Sequence, residues 1–169
     1  MSQTTQIPYN ELDPFRGEYS RVTATAPEDR VGAMWSVILA SIFPVTKYAI
    51  EPQFQNPVGY TDFTISEWAN TGGQLIRLPC FVVETRRAAA SSQEAWKEAE
   101  VQLQEYLIGH TQIAATGGTG KARLFGAVAI GTEVKFFTYN KSTKRINPLY
   151  HQKQPYEQRL QYIERHHYI

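Results

Sequence analysis

The chain has 169 residues, 42% apolar and 20% charged, which is the balance of a globular protein with a core and excludes disorder along its length. Its 17 Lys plus Arg against 16 Asp plus Glu leave a formal net charge of +1, too little for a sequence-indifferent nucleic-acid coat, so any nucleic-acid contact must come from a local patch. The opening Met1-Ser2-Gln3-Thr4-Thr5-Gln6 lacks the blocks of a signal peptide, and the apolar stretch Val31 to Val45, interrupted by Gly32, Ser36, Ser41 and Pro44, is shorter than the ~20 residues of a bilayer span; an intracellular chain with no membrane partner is expected.

Residues 1–26 carry turn formers (Pro8, Asn10, Asp13-Pro14, Gly17) and read as an irregular arm with room for a short helical turn. A single domain over 27–169 follows. Its first helix begins at Pro27-Glu28-Asp29, with Thr25 and Glu28 at capping-box spacing, and shows an apolar face of Val31, Met34, Trp35, Ile38, Leu39 and Ile42 before Pro44 ends it. Three strands are expected next: Tyr48 to Gln55, broken by Pro52; Tyr60 to Glu67; and the apolar Leu78 to Thr85, which suits a central strand covered on both faces. Asn70-Thr71-Gly72-Gly73 is the hairpin turn between the last two. Cys80, the sole cysteine, lies inside the apolar run and reads as a buried thiol.

Ser91 and Glu94 repeat the capping-box spacing at the start of a second helix, whose stripe of Trp96, Ala99, Leu103, Tyr106 and Leu107 ends near Gly109. After the loop Thr116 to Gly120, strands Ala122 to Ile130 and Val134 to Tyr139 flank a tight Gly131-Thr132-Glu133 connection. Lys141 to Asn147 reads as a polar turn, and Pro155 begins a last helix with Tyr156, Leu160 and Ile163 on one face. The order α, β, β, β, α, β, β, α gives one α/β domain.

Two acidic residues stand out by location: Asp62 in the second strand and Glu84 at the end of the third, the most apolar one. Carboxylates beside buried strands are seldom kept unless they are paired or bind metal. Arg86 follows two residues after Glu84 and so projects from the same sheet face. One reading is an ion-pair set with Arg86, Arg87 or Arg77. The other is a pair of hard oxygen ligands for a divalent cation beside a phosphate-binding group.

The segments around these residues resemble the PD-(D/E)XK nuclease superfamily, which includes restriction endonucleases and RecB-type nucleases. Gly59-Tyr60-Thr61-Asp62-Phe63-Thr64-Ile65 is similar to that family's metal-binding aspartate segment, and Phe81-Val82-Val83-Glu84-Thr85-Arg86 to its apolar strand ending in Glu-x-Lys. Gln102-Leu103-Gln104-Glu105-Tyr106 matches the Gln-x-x-x-Tyr helix of the RecB-like branch, with Gln102 and Tyr106 one turn apart. The later strand and its hairpin, Leu124 to Phe137, look like those of fungal and type I restriction N-terminal members. The resemblance implies a restriction-endonuclease-like three-layer domain with a central mixed sheet flanked by helices. It also implies Mg²⁺ or Mn²⁺ on Asp62 and Glu84, with Glu28 or Glu51 as an outer ligand. Arg86 would contact a scissile phosphate of DNA or RNA, and Gln102 and Tyr106 would position substrate. Two positions depart from the pattern. Thr61 replaces a proline, and Arg86 replaces the lysine; arginine holds phosphate bidentately but lacks the flexible ammonium that orients an attacking water. The implied function is therefore a metal-dependent nuclease or a non-cleaving relative that binds nucleic acid or a protein partner.

Gly117-Gly118-Thr119-Gly120-Lys121 is not a P-loop, because Ala115 and Ala122 fill positions that need Gly and Ser/Thr, and the loop follows a helix. Lys121 and Arg123 there, with Arg87 and the Lys141, Lys144, Arg145 cluster, are candidate phosphate contacts, a solvated surface being the plainer reading. His110, His151, His166 and His167 show no zinc spacing. Tyr156, Tyr162 and Tyr168 on the last helix offer a surface for a homodimer.

Overall fold

The computed structural model describes residues 9–90, 92–115 and 124–149. The predicted irregular arm is corrected at its second half: after a single 3-10 turn at Tyr9–Glu11, residues Asp13–Arg21 form helix α1. Pro14 sits in its first turn, where a missing N–H costs nothing, and Gly17 faces open space. Both residues look like turn formers only when read alone. Leu12, Phe15 and Val22 lay this helix on the core.

Helix α2, Glu28–Ile42, buries the six apolar residues that its periodicity marks. Its capping differs from expectation. Pro27 is the N-cap and no side chain caps the helix, so Glu28 and Asp29 meet the positive end of the dipole instead of completing a box with Thr25.

Strands β1 (Tyr48–Asn56), β2 (Gly59–Thr71) and β3 (Gln74–Arg86) form an antiparallel meander. Gly72 and Gly73, at φ 61° and 85°, supply the left-handed turn that joins β2 to β3. Pro52 is tolerated because β1 is an edge strand. Cys80 is the extra residue of a bulge in β3; its buried Sγ donates to the Ile65 carbonyl at 3.3 Å, and burial foremost pushes the thiol pKa up. This is the inert thiol that its neighbours predict.

Helix α3, Gln93–Ala115, crosses over to β4 (Leu124–Ile130), which pairs parallel with β3. β5 (Glu133–Asn140) and β6 (Arg145–Pro148) complete a six-stranded sheet in sequence order. β6 lies in the stretch read as a polar turn. Its hairpin closes on Asn140, whose Oδ1 accepts from the N–H groups of Ser142 and Thr143. Helix α3 is capped by Ser92, which accepts the Ala95 N–H at 3.1 Å; Ser91 lies outside the described residues. The helix does not stop at Gly109. A Cβ there would meet the Asn56 side chain at 3.0 Å, so this glycine serves packing and not termination.

Alternation along β3 and β4 sets the layers. Phe81, Val83, Phe125, Ala127 and Ala129 pack with α2, while Val82, Leu124, Val128 and Ile130 pack with Trp96, Leu103 and Leu107 of α3. The result is a three-layer α/β arrangement, with a mixed sheet between α1 and α2 on one side and α3 on the other. The predicted last helix and the 116–123 loop lie outside the described residues. Among the described residues no helix is long and apolar enough to cross a membrane.

Candidate functional site

The β2–β3 ladder ends at the Phe63–Val83 pair, and Asp62 and Glu84 are the next residues along, at the open end of the hairpin. Asp62 is held from β3. Its Oδ2 accepts the Thr85 N–H at 2.6 Å and the Thr85 hydroxyl at 2.8 Å. Glu84 projects to the α3 side and is 1% exposed. Arg86, on the same face as expected, places Nη1 2.6 Å from Glu84 Oε1 and 3.9 Å from Oε1 of Glu28, which arrives at the start of α2. Arg86 also donates to the Thr85 carbonyl at 3.2 Å and, through Nη2, to Gln102 Oε1. Gln102 Nε2 in turn donates to the Tyr106 hydroxyl. Glu84, Arg86, Gln102 and Tyr106 thus form one continuous polar chain from β3 to α3.

The charge balance of this group is uneven. Burial first, then the Asp62 and Glu28 carboxylates, push Glu84 up to about 8, and Arg86 only partly opposes them. Glu84 Oε1 is buried, and its partner is Arg86 Nη1 at 2.6 Å. Glu84 and Glu28 flank the guanidinium, and Asp62 lies near enough to act on Glu84, a gathering of hard oxygen donors of the kind that a divalent cation takes. Among the described residues no three His, Cys, Asp or Glu side chains are grouped so as to hold a metal by themselves. Mg²⁺ commonly takes one or two carboxylates and fills its shell with waters and phosphate oxygens, so Asp62 and Glu84 suffice as the protein's share. Burial also raises the Tyr106 pKa, which keeps its phenol neutral and able to donate.

Two clefts open onto the array. One of about 300 Å³ is bounded by Glu28, Asp29, Gln53, Asp62 and Thr85. The β1–β2 ladder breaks beside it, between the Pro52–Phe63 and Phe54–Thr61 pairs, where Gln53 takes a left-handed φ of 49°. The other, of about 450 Å³, lies against Val58, Lys97, Val101, Gln102 and Tyr106. Its wall is fixed by the buried Asn56, which accepts from the N–H groups of Val58 and Gly59 and donates to the Tyr106 carbonyl at 3.3 Å.

Other expected site residues are not gathered here. Glu51, the alternative to Glu28 as outer ligand, points into a separate pair with Arg77, which also stacks on Phe54 and donates to Ser66. Glu28 and not Glu51 therefore joins Asp62 and Glu84. Arg87 is exposed just past Arg86. β5 begins beside the Arg86 end of the sheet, and Lys141, Lys144 and Arg145 follow its far end, in the turn and at the start of β6, roughly 20 Å away at ~3.3 Å per residue. Those three cations do not border the carboxylates. Lys121 and Arg123 lie outside the described residues.

Thr85 was missed as a site residue, although its place between Glu84 and Arg86 marks it: alternation turns it to the opposite face, where Asp62 reaches it. A second buried polar group was missed as well. His110 is wholly buried, stacked on Phe54 with ring centres 5.2 Å apart, and its Nε2 lies 3.2 Å from the Thr64 hydroxyl, itself 2.8 Å from that of Thr61. Burial foremost, and then Arg77, press His110 down to about 4. The fold and the site rest on these observations alone, for no family model, no curated protein and no solved structure matches this chain.

Proposed function

We propose that this chain is a divalent-cation-dependent nuclease of the restriction-endonuclease-like kind, hydrolysing phosphodiester bonds of DNA or RNA. The observation that carries the proposal is a convergence. Asp62, Glu84, Arg86, Gln102 and Tyr106 are scattered over two strands and a helix, and at one end of the sheet Glu84, Arg86, Gln102 and Tyr106 form a linked array that Asp62 joins through Thr85. Asp62, oriented by Thr85, and Glu84 would hold Mg²⁺ or Mn²⁺, with Glu28 near enough to bind through water. The bound cation would acidify a water and offset charge on a phosphoryl oxygen. Arg86 offers a planar fork to a phosphate, and Gln102 fixes the fork's orientation through Nη2. Tyr106 retains its own O–H to donate to a sugar or phosphate oxygen.

Incubation of labelled single- and double-stranded DNA and RNA with Mg²⁺ or Mn²⁺ tests the reading. Cleavage by the native protein that Asp62→Ala abolishes is the expected result. Calorimetry of Mn²⁺ binding to native protein and Glu84→Ala gives a second readout, and absence of both binding and cleavage would sink the proposal.

One observation favours a non-cleaving relative: Arg86 is engaged by Glu84, Thr85 and Gln102 together, as a structural counter-ion would be. Under that reading native protein binds nucleic acid without cutting it, and Arg86→Lys creates cleavage.

A further inference from the structure

We infer that Arg86 is the resident cation of the carboxylate site: its guanidinium occupies the place of a divalent ion and must withdraw toward Gln102 when one binds. The inference rests on the cation-dependent reading above and adds to it a competitor built into the chain.

The geometry separates two kinds of contact made by one side chain. Toward the carboxylates, Arg86 Nη1 stands 2.6 Å from Glu84 Oε1 and 3.9 Å from Glu28 Oε1. That attraction is coulombic, and any cation of higher charge can replace it. Toward α3 and the strand, Arg86 donates to two neutral acceptors, Gln102 Oε1 and the Thr85 carbonyl. These bonds do not need Glu84, and they give the guanidinium a footing when it leaves. The side chain is 28% exposed, so its path outward is open, while Glu84, at 1%, stays in place. A divalent ion on Glu84 and a guanidinium within a few ångströms repel strongly in a site of low dielectric. The two cannot share Oε1.

A consequence is coupling between ligands. Once displaced, Arg86 lacks its anionic partner, and a phosphodiester oxygen supplies the acceptor it has lost. Cation and phosphate then strengthen each other's binding, while the cation alone binds weakly.

Titration of Mn²⁺ into native protein, Arg86→Gln and Arg86→Lys by calorimetry tests this. Arg86→Gln is expected to bind Mn²⁺ at least tenfold more tightly than native protein, and Arg86→Lys, which keeps the positive charge, to stay weak. Circular dichroism confirms that each variant is folded. In native protein the Arg86 Nε–Hε NMR resonance is expected to move as diamagnetic Mg²⁺ is added. Native protein that binds Mn²⁺ as tightly as Arg86→Gln overturns the inference and leaves the proposed function standing; so does a resonance that stays fixed while Mg²⁺ binds. If neither native protein nor Arg86→Gln takes up Mn²⁺, the cation-dependent function falls, and the inference with it.

Discussion

One oxygen of Asp62 accepts both the N–H and the hydroxyl of Thr85, so the strand that carries Glu84 also aims the aspartate beside it. Thr85→Val keeps the shape and the N–H bond but removes the hydroxyl. A hydrogen bond to a charged group contributes about 1.5–3 kcal/mol, so urea unfolding is expected to show a loss of about that size. Thr85→Ser, which restores the donor, is expected to recover most of it. Equal stability of the valine and serine variants would show that the hydroxyl does not hold Asp62.

Glu84 gives the protein a stability that declines with rising pH. Its carboxyl is pushed from its ordinary 4.5 up to about 8, by burial and then by Asp62. Between those values the folded chain holds a proton that the unfolded chain has released, so stability falls as pH rises through the window. Thermal unfolding in chelator from pH 5 to pH 8 is expected to show this decline, and Glu84→Gln to flatten it. An unchanged slope in the variant would assign the decline to other groups.

His110 acts with the opposite sign. Burial lowers it from 6.5 to about 4, so the unfolded chain binds a proton that the folded one refuses. Stability is therefore lost as pH falls from about 6.5 through 4. His110→Gln keeps a polar partner for Thr64 and cannot titrate. The same melts, extended down to pH 4, are expected to show a shallower acid limb in this variant than in native protein.

Gly126 lets α3 lie close against β4. A Cβ at that position would stand 2.9 Å from both terminal carbons of Leu103, the neighbour of Gln102. Gly126→Ala is expected to cost about 1–3 kcal/mol by overpacking, read from denaturant midpoints. Paired with Leu103→Ala it is expected to cost less than the sum of the two single changes. Strict additivity would place the clash elsewhere.

Much of this architecture can be read from residue pattern because the deciding physics is local. The unbroken apolar run before Glu84 marks a strand covered on both faces, and the spacing of Gln102 and Tyr106 puts them on one helical edge. What escaped the sequence depends on distant partners. Gly109 reads as a helix stop until Asn56 is seen to fill the space beside it. Glu28 and Glu51 are equivalent on paper, and only the fold sends one to Arg86 and the other to Arg77. The Lys141 to Arg145 cations look like a groove lining until strand direction carries them to the far end of β5. β6 was hidden because its residues are mostly exposed and lack an apolar face.

The parallel pairing of β3 with β4 also divides the order of events in folding. β2 and β3 meet across a two-glycine turn, whereas β4 reaches β3 only after the whole of α3 has been threaded between them. Local pairings close sooner than distant ones because less chain entropy is lost. The hairpin is therefore expected to form in the transition state, with high φ-values around Ile65 and Phe81 and low ones at Val128. Asp62 and Glu84 are then driven together before Gln102 is there to steady Arg86. Where both are ionised the earliest step of folding carries their repulsion, and above about pH 8 refolding is expected to quicken when added salt screens it.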